Sequence, residues 1–101
     1  MTIYNKLVRD KIPEIIAAKG GSAKTHVASA EEYEAKLLEK LQEEVKEFIA
    51  DKSPEELADI EEVLSAIYAH FGFSREEIEA IRQKKAQERG GFTKRIILEE
   101  S

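Results

Sequence analysis

Residues 29–72, SAEEYEAKLLEKLQEEVKEFIADKSPEELADIEEVLSAIYAHFG, decide the fold because they encode two helices and the connection between them. Apolar residues recur every three or four positions in two runs, which is the period of an amphipathic helix. The runs predict helices over 30–51 and 54–71. The connection, residues 51–53, is so short that the two helices must pack against each other in antiparallel fashion.

Capping boxes mark the starts of these helices and of a third one. Each box is a serine followed three residues later by a glutamate, a pattern that satisfies backbone N–H groups of the first turn. The boxes are Ser29 with Glu32, Ser53 with Glu56, and Ser74 with Glu77. Glycines at 72 and at 90–91 supply helix stops. A further helix is therefore expected over 75–89, and a shorter one between Pro13 and Gly20.

Two segments outside the helices have the composition of strands. Residues 23–27 and 92–98 carry β-branched or aromatic side chains and could pair with each other. We therefore expect a mainly α fold of four helices with a small two-stranded β element. The chain of 101 residues shows no internal repeat and no linker, so a single domain over 1–101 is expected.

The composition excludes several classes of site. The chain has no cysteine, which excludes a disulfide framework, a thiolate zinc site and a cysteine nucleophile, and agrees with a cytoplasmic location. The longest strictly apolar run, residues 15–18, is far shorter than the ~20 residues of a membrane span. Residues 1–11 lack the apolar core of a secretory signal. We expect a cytoplasmic protein without a membrane partner.

The formal net charge of −5 is unevenly distributed. Residues 31–62 carry thirteen acidic and four basic side chains, whereas the two ends of the chain are mildly basic. A domain that binds a nucleic acid polymer would need a continuous basic face, so that partner is not expected. The pattern suits an anion bridged by a metal ion to carboxylates. Solvated, salt-bridged helix surfaces would explain it as well.

Two acidic pairs border the seam between the central helices, Glu44 and Glu47 on the first and Glu56 and Asp59 on the second. Converging carboxylates repel one another and lose hydration, which is costly without a cation. Oxygen ligands in this number suit Mg²⁺ or Mn²⁺. Glu56 is equally well explained as the capping partner of Ser53, and both interpretations stay open at this point.

Three blocks of the sequence resemble one group of enzymes. Residues 4–16, YNKLVRDKIPEII, are similar to the opening of a subgroup of MazG-like nucleotide pyrophosphohydrolases. This subgroup belongs to the all-α nucleoside triphosphate pyrophosphatases, together with phosphoribosyl-ATP pyrophosphatase and the dimeric dUTPases. Residues 43–47, EEVKE, and 56–59, ELAD, resemble the two-part acidic signature of that superfamily. Residues 90–98, GGFTKRIIL, resemble the usual ending of the subgroup.

The resemblance implies a four-helix MazG-like bundle assembled as a homodimer or a higher homo-oligomer. It also implies Mg²⁺-dependent cleavage of the α–β phosphoanhydride of a nucleoside triphosphate, which gives a monophosphate and pyrophosphate. Its implied metal ligands are Glu44, Glu47, Glu56 and Asp59. Glu43 would join the catalytic carboxylates, either by orienting a ligand or as a solvated neighbour. Arg9 and Lys11 in the opening block, and Lys84 and Arg89 near the glycine pair, are expected to bind the substrate.

Two alternative functions are also compatible with the sequence. The chain could be a phosphoribosyl-ATP pyrophosphatase, which shares the acidic signature but not the opening block. It could also be a noncatalytic helical interaction module whose acidic seam binds a basic partner. Apolar positions opposite the Glu44 flank, such as Leu38 and Ile49, independently predict association with another copy of the chain.

Overall fold

Four α-helices form the regular structure of residues 2–101, which are the residues that the computed structural model describes. The helices are α1 (Ile12–Ala18), α2 (Ala30–Ala50), α3 (Pro54–Phe71) and α4 (Arg75–Arg89). The mainly α fold is therefore confirmed. The predicted bounds agree with the observed ones to within about two residues because helix ends depend on local capping chemistry.

Serine hydroxyls cap the three longer helices, as the sequence predicts. Each hydroxyl oxygen accepts a hydrogen bond from the backbone N–H three residues later. The pairs are Ser29 with Glu32 at 3.2 Å, Ser53 with Glu56 at 3.4 Å, and Ser74 with Glu77 at 3.0 Å. Gly72 directly follows the last residue of α3, and its φ of 75° lies in the left-handed region that glycine adopts without a steric penalty.

α2 and α3 pack against each other and make the only extensive contact between helices in residues 2–101. Its apolar centre is small: Leu37 of α2 is 2% exposed and Val63 of α3 is 8% exposed. The third buried residue of this part of the chain is Glu44 of α2. A carboxylate therefore takes a place in the seam that an aliphatic side chain would normally fill.

The chain has an open shape. Its radius of gyration is 18.0 Å, whereas a compact domain of this length has about 13 Å. Its accessible surface is 9158 Å², whereas a compact chain of 11.5 kDa exposes about 5,800 Å². In α4 only Ile78 and Ala86 are even half-buried. Across residues 2–101, no helix combines the length and the apolar character that crossing a bilayer would require.

The predicted two-stranded β element is not formed within residues 2–101. The backbone N–H of Arg95 donates to the carbonyl oxygen of Phe92 at 3.2 Å, and Arg95 has a φ of 58°. This turn interrupts the extended run expected over 92–98. Ile97 beyond the turn is 81% exposed, so no neighbouring strand covers it. Strand-like composition was insufficient because a strand also needs a partner for its backbone groups.

The small centre of the seam makes Leu37 the residue on which folding depends most. We expect Leu37→Ala to lower the free energy of unfolding by about 2–5 kcal/mol, because it removes buried methyl groups and leaves a cavity. Urea denaturation measures the change. Leu38→Ala is the matched control, since Leu38 is 44% exposed and should cost less. Equal losses for the two variants would contradict the described packing.

Candidate metal centre

Carboxylates of α2 and α3 come together at the seam. One oxygen from each of Glu44, Glu56 and Asp59 lies within 4.8 Å of the other two, and we call these three residues the acidic cluster. Antiparallel packing brings the cluster together, because Glu44 lies late in α2 while Glu56 and Asp59 lie early in α3. These three residues would hold a hard divalent cation, which prefers oxygen ligands.

Glu44 is the charged residue that the seam buries, with 9% of its surface exposed. Lys40, one turn earlier in α2, places its Nζ atom 3.3 Å from a carboxylate oxygen of Glu44 and 3.6 Å from one of Glu43. The Lys40 side chain is itself only 18% exposed. A buried carboxylate without a counter-charge is strongly destabilising, so Lys40 makes the position of Glu44 tolerable.

Glu56 has a different environment. Burial at the seam raises its pKa, and the negative charges of Glu47, Asp59, Asp51 and Glu44 raise it further. A cation at the acidic cluster would therefore favour the ionised form of Glu56.

The two interpretations of Glu56, as the capping partner of Ser53 and as a metal ligand, require different positions of its carboxylate. The hydroxyl of Ser53 accepts the backbone N–H of Glu56, as in a capping box. The backbone N–H of Ser53, however, donates to the carbonyl oxygen of Asp51. The reciprocal bond from the Glu56 carboxylate is thus replaced, and that carboxylate belongs to the acidic cluster instead.

The N-terminal segment, residues 2–11, contributes positive charge from outside the helix pair. The Nη2 atom of Arg9 lies 2.8 Å from Oδ1 of Asp59, and Nζ of Lys6 lies 3.2 Å from Oε1 of Glu43. These ion pairs join residues far apart in the sequence. They hold the segment against α2 and α3 where apolar packing is sparse.

Glu43 is electrostatically compensated, in contrast to Glu56. Burial by itself raises the pKa of Glu43, but the hydrogen bond from Lys6 and the charges of Lys40 and Lys6 outweigh it, so the pKa lies below its usual value. Glu43 therefore anchors two lysines beside the acidic cluster and is not a member of it.

An open cavity of about 730 Å³ lies between the N-terminal segment, α1 and the α2–α3 pair. This volume is within the usual range of ligand pockets, about 300–1,000 Å³. Its charged lining includes Arg9, Lys11, Lys40, Glu44, Asp59 and Glu62. Its apolar and aromatic lining includes Ile12, Tyr33, Leu37, Val63, Ala66 and Ala69. The cavity thus offers both charged and apolar surfaces to one ligand.

The structure brings together some of the residues expected to bind substrate and separates others. Arg9 contacts the acidic cluster, and Lys11 lines the cavity. Lys84 and Arg89 lie on the exposed helix α4 and do not line this cavity. Lys84 instead approaches Glu88 at 4.0 Å. Their closeness to the glycine pair in sequence does not place them near the acidic cluster of the same chain.

Glu47 also lies outside the acidic cluster. Glu47 is exposed on α2, although its negative charge raises the pKa of Glu56. Lys6, Lys40 and Glu62, by contrast, surround the site without having been expected there. Lys40 precedes Glu44 by four residues and Glu62 follows Asp59 by three, so helical spacing alone could have identified both.

Comparison of the chain with protein-family models, with curated proteins and with solved structures finds no match. The chemistry of the site must therefore be argued from its own residues.

The opposite pKa shifts of Glu43 and Glu56 predict opposite effects on stability. The raised pKa of Glu56 means that folding favours its protonated form. The stability that this protonated form contributes is therefore lost as the pH rises above the ordinary glutamate pKa of about 4.3. The lowered pKa of Glu43 means that its ionised form stabilises the fold above that value, and this stabilisation is lost as the pH falls below it. In chelator at pH 7, Glu56→Gln should therefore melt at or above the temperature of the parent, and Glu43→Gln below it.

Thermal unfolding followed by circular dichroism between pH 3.5 and 7 checks this pair of variants. Both differences should shrink toward the acidic end, where the carboxyl groups are protonated in the parent as well. A loss of stability in Glu56→Gln at pH 7 equal to that in Glu43→Gln would contradict the electrostatic description of the seam.

Proposed function

We propose that this chain is a Mg²⁺-dependent nucleotide pyrophosphohydrolase, in which Mn²⁺ can replace Mg²⁺. The reaction converts a nucleoside triphosphate into a monophosphate and pyrophosphate. The observation that carries the proposal is the acidic cluster, two of whose members, Glu44 and Asp59, line an open cavity with Arg9 beside them. The resemblance of the opening block and of the two acidic blocks to MazG-like enzymes supports the same reaction.

The donor set fits a hard divalent cation. Three carboxylate oxygens from two packed helices converge, and hard cations of this kind prefer oxygen ligands. The raised pKa of Glu56 marks an uncompensated negative charge that a cation would neutralise. When bound, the ion would supply charge neutralisation at phosphate oxygens and a more acidic water molecule.

The residues of the chain would then have separate tasks. Glu44, Glu56 and Asp59 hold the cation, and Glu47 adds negative charge at the edge of the cluster. Arg9 donates charge-assisted hydrogen bonds to phosphate oxygens. In the reaction, the oxygen of a water molecule bonds to the α-phosphorus as the bond from that phosphorus to the bridging oxygen breaks. Pyrophosphate leaves, and the proton of the water passes to solvent.

Pyrophosphate release tests the proposed function directly. The substrates are canonical and damaged nucleoside triphosphates and phosphoribosyl-ATP, each with Mg²⁺ or with chelator. Glu44→Gln and Asp59→Asn should lower the rate at least about a hundredfold, because an amide keeps the shape of the ligand but not its charge. Millimolar Mg²⁺ should also raise the melting temperature of the parent, since a ligand at a hundredfold excess over its Kd stabilises by about 2.7 kcal/mol.

The matched control is Glu39→Gln. Glu39 pairs with Lys36 on the exposed side of α2, and its loss should change the rate by no more than about twofold. Identical melting curves in Mg²⁺ and chelator, together with no pyrophosphate release from any substrate, would leave a noncatalytic helical interaction module as the better description.

We also propose that the chain works as a homodimer or higher homo-oligomer. Leu38, Val45 and Ile49 follow one face of α2 and are 44%, 39% and 61% exposed. The chain exposes about 3,400 Å² more than a compact chain of its mass, against about 800 Å² that each partner buries in an interface of standard size. A second copy could cover this surface and bring Lys84 and Arg89 of α4 nearer to a cavity.

Sedimentation at micromolar concentration tests the association. The parent should sediment as a dimer or a larger species, and Ile49→Glu should shift it toward monomer because the new charge would be buried at the interface. Ala50→Glu is the matched control, since it adds the same charge about 100° away around the helix. A strictly monomeric parent would contradict the proposed assembly.

A further inference from the structure

Two basic side chains already contact the acidic cluster. Arg9 lies 2.8 Å from Asp59, and Lys40 lies 3.3 Å from Glu44. Both basic residues line the cavity. Their carboxylate partners, Glu44 and Asp59, line the same cavity, so both ion pairs border the space in which a ligand would lie.

The two contacts are built differently. Lys40 and Glu44 are four residues apart on α2, so one rigid helix sets their separation. Arg9 reaches Asp59 from the N-terminal segment, fifty residues away in sequence. The Arg9 side chain is 57% exposed and that of Asp59 is 40% exposed, so water is available to both when they separate.

A divalent cation and these side chains compete for the same carboxylates. A carboxylate that binds Mg²⁺ has less charge to offer a guanidinium or an ammonium group, and the positive charges repel one another at this distance. The exposed pair of Arg9 with Asp59 contributes only about 0.2–1 kcal/mol, so it can be exchanged readily. The pair of Lys40 with Glu44 is largely buried, so Lys40 can leave Glu44 only if the cation replaces its positive charge. Once displaced, Arg9 and Lys40 would still line the cavity, where the remaining anion is the polyphosphate of a substrate.

We infer that Arg9 and Lys40 are resident counter-ions of the acidic cluster, which a divalent cation displaces and which then bind the polyphosphate of the substrate. The inference rests on the proposed function and adds Lys40 to the residues that bind substrate. It also gives an order of binding: the cation enters first, because three carboxylates near the cavity repel a polyphosphate until a cation neutralises them.

Binding of Mn²⁺ alone, measured by calorimetry without nucleotide, is the first test. Arg9→Met and Lys40→Met should each bind Mn²⁺ about two- to fivefold more tightly than the parent, because the competing charge is gone. The second test adds inorganic tripolyphosphate to Mg²⁺-saturated protein. Both variants should bind it at least about tenfold more weakly, because each has lost a charge-assisted hydrogen bond to phosphate.

Lys36→Met is the matched control. Lys36 lies one turn before Lys40 on α2 and pairs with Glu39 at 3.3 Å, away from the cavity lining. Lys36→Met should change neither the affinity for Mn²⁺ nor the affinity for tripolyphosphate by more than about twofold. Arg9→Lys and Lys40→Arg keep the charge and should retain most of the tripolyphosphate binding. Circular dichroism of each variant confirms that it is folded before titration.

The outcomes separate this inference from the proposed function. Unchanged or weaker Mn²⁺ binding by both Met variants, with normal binding by the parent, would overturn the inference that Arg9 and Lys40 are resident counter-ions. The proposed function would not be affected. Unchanged tripolyphosphate binding would show that these residues do not receive the phosphates, and would also overturn the inference. A parent that binds no Mn²⁺ and releases no pyrophosphate would overturn the proposed function and this inference together.

Discussion

Repulsion among carboxylates at the α2–α3 seam is the constraint on which the rest of the structure depends. Glu44 occupies a buried position beside a centre that contains only two buried aliphatic side chains. Glu56 and Asp59 face it from α3. Such a seam is stable only if positive charge is brought to it, and the chain supplies that charge from two directions. Lys40 comes from within α2, and Arg9 comes from the N-terminal segment.

The same constraint explains why the N-terminal segment lies where it does. Residues 2–11 contain no helix, and most of their side chains are exposed. Ion pairs from Lys6 to Glu43 and from Arg9 to Asp59 attach the segment to the helix pair. The attachment creates one wall of the cavity. Under the proposed function, a site bordered by these two exposed ion pairs would admit ions and phosphates without unfolding, because each pair is weak by itself and would be replaced by a stronger contact.

How much could be predicted from the sequence depended on the range of the interactions involved. The three serine caps are local, so the starts of α2, α3 and α4 were predictable. The short connection before Ser53 fixed antiparallel packing and thus the meeting of Glu44 with Glu56 and Asp59. The prediction of strand pairing between 23–27 and 92–98 was wrong within residues 2–101, because composition alone does not supply the long-range partner that a strand needs. The contact of Arg9 with Asp59 spans fifty residues, and no local pattern encodes that distance.

The position of Glu56 on α3 shows how the chain tolerates its site before any cation binds. Glu56 lies in the first turn of α3, where the unpaired backbone N–H groups and the helix dipole favour negative charge. That stabilisation offsets part of the repulsion from Glu44, Asp59 and Glu47. The raised pKa of Glu56 shows that the offset is incomplete. Arg9 and Lys40 together compensate two of the three carboxylates in the acidic cluster, so one negative charge remains. The chain can therefore fold with the cluster in place, and under the proposed function the remaining charge would attract a divalent cation.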